Sequence, residues 1–197
     1  DGHTNINAAN GMKMAGPFQA PEIELKNLEF IFIYPSREKV TELFNCFRHG
    51  KTAYYPGLER YVEIPIRQPS KEVILKYEYN EFENLPELVN NHILSVKEQM
   101  PNKIFFAIVL LPKSKKDSSE GDVEYYELKK VLIENEVPSQ FIDEREIGTN
   151  NFVYWLPNIS IAIQAKLGGV PWKLNRQEDK ELIVGFGDAT ESDQRFI

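Results

Sequence analysis

The stretch that decides the fold is Ile104–Leu111, which reads IFFAIVLL and is followed at once by Pro112. Eight consecutive apolar residues are far fewer than the roughly 18 needed to cross a bilayer, and they have the length of a buried strand. No longer apolar run occurs in the sequence. The stretch therefore predicts the central strand of a globular domain.

Strand and helix signals alternate on either side of this stretch. The β-rich run Leu28–Tyr34 precedes Ser36, which can cap a helix over 37–48. Pro157 is predicted at the first position of the last helix, with Gly168 just past its end. The remaining predictions are strands over 61–66 and 139–142 and helices over 85–100, 123–136 and 157–167. Such alternation predicts an α/β, Rossmann-like fold, with a mainly parallel sheet flanked by helices.

The composition excludes several classes of protein. The 197 residues are 42% hydrophobic and 27% charged, which is typical of a globular chain and not of a disordered one. The single cysteine, Cys46, excludes a fold stapled by internal disulfides, and its neighbours Phe44 and Phe47 indicate a core position. The net charge of −7 argues against a protein that coats nucleic acid through a general basic surface.

Both ends of the sequence indicate a piece of a larger protein. It begins with Asp1 and a polar, Gly/Asn-rich stretch that has neither the basic nor the apolar region of a secretory signal. Residues 180–188 predict a strand that enters a glycine turn, the usual opening of a new element. We therefore expect a leading segment or linker over 1–22, a whole domain over 23–178, and the start of a second domain over 179–197.

The helix after the central strand carries the first candidate site. The loop before it contains three lysines, but the sequence holds neither a phosphate-binding P-loop nor a G-x-G-x-x-G motif. Tyr125 and Lys129 project from one helix face, where the ring can stack on a base and the ammonium can meet a phosphate. Tyr126 and Lys130 have the same spacing, so the spacing leaves open which pair has this role.

The last helix places a lysine on an apolar face. Ile159, Ile163 and Leu167 cluster on a helical wheel, and Lys166 falls inside their arc with Asn158 on its flank. A lysine there must either extend to solvent or meet an anion, because an unpaired buried ammonium is costly. Gly168 and Gly169 permit either a close backbone approach or a left-handed helix cap, and we expect the cap.

Other chemistry-bearing residues are predicted to be structural. The three histidines, His3, His49 and His92, stand far apart without a metal-binding motif. The charges at 144–146 indicate a solvated run. Asp188 is typical of a turn after glycine.

Taken together, these residues resemble the MID domain of the Argonaute family, of the prokaryotic type, followed by the first strand of a PIWI domain. The resemblance is strongest from residue 104 to residue 185. It rests on an ordered set: Tyr125-Tyr-Glu-Leu-Lys129, Pro138-Ser-Gln140, Asn158, Lys166-Leu-Gly-Gly169, Pro171-Trp172 and Leu182-Ile-Val-Gly185.

The resemblance implies a Rossmann-like module that anchors the 5′ end of a guide strand. Tyr125 would stack on the first base, while Lys129, Gln140 and Lys166 would hold the 5′-phosphate. The supporting residues would be Asn158, Tyr126 and Lys130. The loop 113–124 would inspect the first base.

The resemblance also implies partners and a compartment. The partners would be a single-stranded RNA or DNA guide with a 5′-phosphate, a target strand bound through the parent protein, and for short members of the family a companion effector. We expect no membrane association, a cytoplasmic location and a role in nucleic-acid-guided interference. The alternatives are a Rossmann-like domain that binds a mononucleotide or a protein partner, or part of a catalytically active slicer.

Two departures from the family bear on metal and catalysis. Prokaryotic members often hold Mg²⁺ at the guide phosphate, but Ala162 stands where the family has a helix glutamine, and Gln164 is expected to face elsewhere. The first catalytic Asp of PIWI usually follows Val-Gly-x, a place that Gly187 takes here, with Asp188 one residue later. We therefore expect binding without cleavage from this chain, and the sequence leaves the catalytic competence of the parent protein open.

Overall fold

The computed structural model describes residues 4–112, 123–173, 189–191 and 194–196. Three predicted features lie outside these residues: His3, the lysine-rich part of the loop after the central strand, and the strand 180–188 with Asp188.

The described chain forms a four-stranded, all-parallel sheet with helices on both faces, which confirms the predicted fold class. The strand order is β2-β1-β3-β4, and a separate antiparallel pair joins β5 to β6. The strands are β1 (Leu28–Tyr34), β2 (Ile74–Lys76), β3 (Ile104–Leu111), β4 (Ser139–Asp143), β5 (Ala189–Glu191) and β6 (Gln194–Phe196). The α-helices are α1 (Ala8–Ala15), α2 (Arg37–His49), α3 (Leu58–Val62), α4 (Leu85–Gln99), α5 (Val123–Glu134) and α6 (Phe152–Lys166).

The sheet separates two apolar cores, because successive side chains of a strand point to opposite faces. From β3, Phe106, Ile108 and Leu110 pack with α2, α3 and α6. Phe105, Ala107, Val109 and Leu111 pack on the other face with α4 and α5. The uninterrupted run IFFAIVLL is thus explained by burial on both faces.

The start of α2 agrees with the predicted cap. The Ser36 hydroxyl accepts a hydrogen bond from the Lys39 backbone N–H at 3.3 Å, which satisfies one of the free donors at the helix start. Cys46 is 5% exposed and lies in the core, as predicted, and burial raises the pKa of its thiol.

The predicted strand over 61–66 is wrong. Leu58–Val62 forms α3, and Glu63 ends it in the left-handed conformation with φ 58°. Leu58, Tyr61 and Val62 are all buried, and their separation by three and four positions favours a helix over a strand in this segment. Pro65, which has no backbone N–H, then prevents a regular strand ladder.

The predicted start of the last helix is also wrong. α6 begins at Phe152, so that Pro157 lies inside the helix instead of at its first position. Phe152, Leu156 and Ile159 continue the apolar stripe that reaches Ile163, and their burial offsets the hydrogen bond that proline cannot donate.

Four short elements of the described chain, α1, β2, β5 and β6, were not predicted. α1 lies within the expected leading segment, where the Asn7 side chain caps it by accepting from the Asn10 N–H at 3.1 Å. Met12 of α1 is buried in the core on the α2 side of the sheet. Among the described residues, no helix is both long and apolar enough to cross a membrane.

Candidate functional site

The end of α6 meets the beginning of β4 through Lys166. Its ammonium donates to the Ser139 backbone carbonyl at 2.5 Å and to Gln140 Oε1 at 3.0 Å. Gln140 Nε2 donates in turn to the Phe141 carbonyl at 3.0 Å, which orients its side-chain oxygen towards the lysine. Within the described part of the chain, the ammonium has only neutral oxygens as partners, so its positive charge is not neutralised.

The start of α5 meets the same strand from the other face of the sheet. The rings of Tyr125 and Phe141 lie 4.9 Å apart between centroids, at an interplanar angle of 58°. The Lys129 ammonium lies 6.0 Å from the centre of the Tyr125 ring. Tyr125 is half-buried and Lys129 is exposed, so the ring is held in place while the charge remains accessible.

The second Tyr–Lys pair has different surroundings. Tyr126 is 54% exposed and contacts the Tyr125 ring edge-on, at 5.3 Å between centroids. Lys130 pairs with Glu127 at 3.8 Å on the outer surface of α5. The structure therefore separates two pairs that the sequence spacing left equivalent.

Four of the predicted residues thus lie around one strand, and we call Tyr125, Lys129, Gln140 and Lys166 the β4 cluster. β4 pairs with β3 only, so it is an edge of the described four-stranded sheet. Gln140, in register with Ile108, faces α6, while Phe141, in register with Val109, faces α5. The cluster straddles this edge near the beginning of β4.

Burial and a neighbouring positive charge both act on the Lys166 ammonium. The pKa of Lys166 is lowered from its ordinary value of 10.5, first by burial and second by the nearby charge of Lys129. Two ammonium groups that repel each other are both stabilised when an anion lies between them. The arrangement is therefore suited to binding a compact anion next to an aromatic ring.

The remaining predicted residues lie outside the cluster. Asn158 is exposed two turns before Lys166 on α6, and no hydrogen bond in the described chain joins it to the cluster. Gln164 is fully buried and donates from Nε2 to the Gln19 carbonyl at 3.0 Å, which explains why it faces away. The roles assigned to all seven site residues stay predictions.

The described residues of the cluster do not fit a resident Mg²⁺. This ion prefers oxygen ligands, carboxylates above all. The cluster supplies two ammonium groups and Gln140 Oε1, an atom that already accepts from Lys166. Nowhere in the described ranges do three His, Cys, Asp or Glu side chains come together as a metal site would need.

The predicted helix cap after Lys166 is confirmed. Gly168 has φ +86°, its N–H donates to the Ala165 carbonyl, and the Gly169 N–H donates to the Gln164 carbonyl. This pair of bonds is a Schellman motif, which ends a helix through a left-handed residue that glycine adopts without strain. The motif fixes the end of α6, and with it the backbone that carries Lys166.

The predicted solvated run at 144–146 is wrong at its first residue. Glu144 is 6% exposed, and its Oε1 accepts from the Tyr79 hydroxyl at 2.7 Å. This hydrogen bond to the carboxylate raises the pKa of Tyr79 to about 12. Arg145 turns back to Asp143, with Nη2 and Oδ2 2.7 Å apart. Sequence spacing could not show this, because the partner of Glu144 comes from a distant segment.

Phe141 and the Ser139 carbonyl are two contributors that the sequence analysis missed. Phe141 gave a weak signal, since an aromatic residue in an edge strand reads as ordinary core. A backbone carbonyl gives no sequence signal at all. Only the pairing of β4 with β3 in the structure places both groups at the site.

Sequence comparisons link the chain to known proteins. No family model matches the chain. It is 27% identical, over an alignment of 204 positions that covers 96% of its length, to a protein named "Protein argonaute" from Cereibacter sphaeroides. It is 32% identical over 102 residues, 49% of its length, to a "Piwi protein" from Archaeoglobus fulgidus. These matches span 26% and 22% of the two relatives, about a quarter of their lengths. The chain is related to the Argonaute/Piwi family.

Proposed function

We propose that this chain binds the 5′ end of a guide strand for an Argonaute protein, in nucleic-acid-guided interference. The observation that carries the proposal is the β4 cluster. Lys166 donates to Gln140 and has no acidic partner in the described chain, while the charge of Lys129 lies close enough to lower the pKa of Lys166. The Lys129 ammonium lies 6.0 Å from the centre of the Tyr125 ring.

A terminal phosphate fits this arrangement better than an internal phosphodiester. A phosphomonoester has a charge of about −1.5 to −2 near pH 7, whereas an internal phosphodiester has only one. Charge-assisted hydrogen bonds from two ammonium groups are stronger than bonds between neutral groups. The lysines would therefore select the end of a strand, and the Gln140 amide would add a neutral contact.

Tyr125 supplies the proposed contact to the first base. One side of the ring packs against Phe141, which limits its motion. Stacking on such a ring tolerates any base, because every base has a π face. The proposed site thus recognises the terminal phosphate of the strand, and any preference for one base would come from other residues.

The remaining partners belong to the same proposal. They are the target strand, bound through a longer protein, and a companion effector. Cleavage is not proposed for this chain, and the position of Gly187 and Asp188 lies outside the described residues. A labelled strand incubated with the chain and Mg²⁺ should stay intact, and metal-dependent cleavage would contradict this part of the proposal.

Competition binding tests the proposal directly. Oligonucleotides of one sequence would be compared as RNA and DNA, with a 5′-phosphate or a 5′-hydroxyl, and with and without Mg²⁺. We expect the 5′-phosphate to strengthen binding at least 100-fold, since two charge-assisted contacts together contribute about 3–6 kcal/mol. Equal affinity for both ends would refute the proposal. A free nucleoside monophosphate that binds as tightly as the phosphorylated strand would indicate a mononucleotide-binding domain instead.

A further inference from the structure

A second cationic surface lies near the opposite edge of the sheet, between α2 and the pair β1 and β2. We call it the α2 groove, and it encloses a volume of about 260 Å³. Its walls come from α2, from the end of β1 at Tyr34, from the segment at Gln68 and from Ile74 of β2. Two strands, β1 and β3, lie between β2 and the β4 cluster in the sheet.

The groove is positive in a chain whose net charge is −7. Arg37 and Arg48 both line it, and none of the described residues that line it is acidic. The two arginines lie 11 positions apart on α2 and therefore on one stripe, separated by about 16 Å along the helix axis. No hydrogen bond or ion pair holds the Arg37 guanidinium within the described chain.

The other lining groups suit a base. The Arg48 guanidinium lies over the Phe44 ring, 6.0 Å from its centre, and Nη1 lies 3.5 Å from Gln68 Oε1. Asn45 adds a second side-chain amide to the lining. The planes of arginine side chains stack on unpaired bases, and side-chain amides hydrogen-bond to base edges.

We propose that the α2 groove binds a segment of single-stranded nucleic acid away from its ends. The arginines hold phosphates along the strand, and the amides of Gln68 and Asn45 hydrogen-bond to base edges. The separation of the arginines favours an extended strand over a free phosphate ion. The inference shares with the proposed function only the class of ligand, because it uses none of the residues of the β4 cluster.

A circular single-stranded DNA tests the groove apart from the β4 cluster, since it has no 5′ end. Arg37→Ala and Arg48→Ala would each be compared with Arg60→Ala, which removes the same charge from an exposed position of α3 outside the groove. We expect each groove variant to bind the circle about fivefold more weakly at 0.1 M salt. The slope of log K against log salt should fall by about 0.7 per arginine removed. Lys129→Ala with Lys166→Ala would be measured in parallel for its preference between 5′-phosphate and 5′-hydroxyl strands.

The outcomes separate the two proposals. If the groove variants bind the circle like Arg60→Ala, the groove proposal is wrong, whatever the lysine variants do to 5′-phosphate preference. Displacement of the circle by adenosine monophosphate at equal nucleotide concentration would identify a free nucleotide as the ligand. It would contradict the proposal that the groove binds a strand. Equal displacement by polyglutamate would show that the groove binds any polyanion, which would also contradict the proposal. Loss of 5′-phosphate preference from the lysine variants alone would support the proposed function.

Discussion

Two Tyr–Lys pairs on α5 differ by a single residue in sequence and face different surroundings. Tyr125 packs on Phe141 of β4, and Lys129 lies close enough to Lys166 to lower its pKa. Tyr126 is largely exposed, and Lys130 pairs with Glu127 on the same helix. One residue turns a helix by about 100°, enough to move a side chain from the sheet to the outer surface. Equal spacing therefore does not give equal chemistry.

Removing both lysines of the β4 cluster should have the largest effect on the binding of a strand end. We expect Lys129→Ala with Lys166→Ala to reduce the preference for a 5′-phosphate at least 100-fold, because two charge-assisted contacts contribute about 3–6 kcal/mol. This preference is measured by fluorescence anisotropy as the ratio of the affinities for 5′-phosphate and 5′-hydroxyl strands. Lys130→Ala is the matched control and should leave the preference unchanged. An equal loss from the control would mean that the outer pair is the binding pair.

Replacing the tyrosines should have a smaller effect. Base stacking on an aromatic ring contributes about 1–3 kcal/mol, so Tyr125→Ala should weaken binding of the phosphorylated strand about tenfold. Tyr126→Ala should change it less than twofold. Thermal unfolding of both variants would be measured as well, because Tyr125 also packs on Phe141. Tyr125→Leu keeps apolar packing without the ring, and unchanged binding by that variant would contradict stacking.

The pH dependence of binding should show the smallest effect, a loss of a few-fold. The pKa of Lys166 lies below 10.5, so its ammonium is lost earlier than that of an ordinary lysine as pH rises. Above pH 7 the terminal phosphate is already close to its full charge. Affinity should therefore fall with rising pH, beginning below 10.5.

Lys166→Arg keeps its charge at these pH values, so this variant should show a flatter profile in the same anisotropy titration. The same fall in both proteins would mean that Lys166 is not the titrating group. Lys130→Ala should keep the profile of the parent chain.

Several parts of the fold could be predicted because their signals are local. The apolar run of β3, the Ser36 cap of α2 and the glycine cap after Lys166 depend on residues close in sequence. The errors arose where local rules compete. Pro157 normally opens a helix, but the burial of Phe152 and Leu156 extends α6 past it towards the N-terminus.

The candidate site could be predicted only as a set of residues. Tyr125, Lys129, Gln140 and Lys166 follow from the resemblance, but their arrangement around an edge strand does not. Glu144 shows the same limit, because Tyr79, which donates to it, comes from a segment 65 positions away. Contacts of this kind depend on how elements pack, and no spacing rule describes them.

The sequence by itself determined the α/β class and the order of most elements, since periodicity and capping act over a few residues. It also determined which lysine lies on the apolar arc of α6. Only the tertiary structure decided that this lysine reaches Ser139 and Gln140, that Tyr125 and not Tyr126 faces β4, and that Arg37 and Arg48 line a groove. The reason is that a strand edge and a helix face acquire their surroundings from segments distant in the chain, and burial and charge repulsion exist only once those segments have packed together.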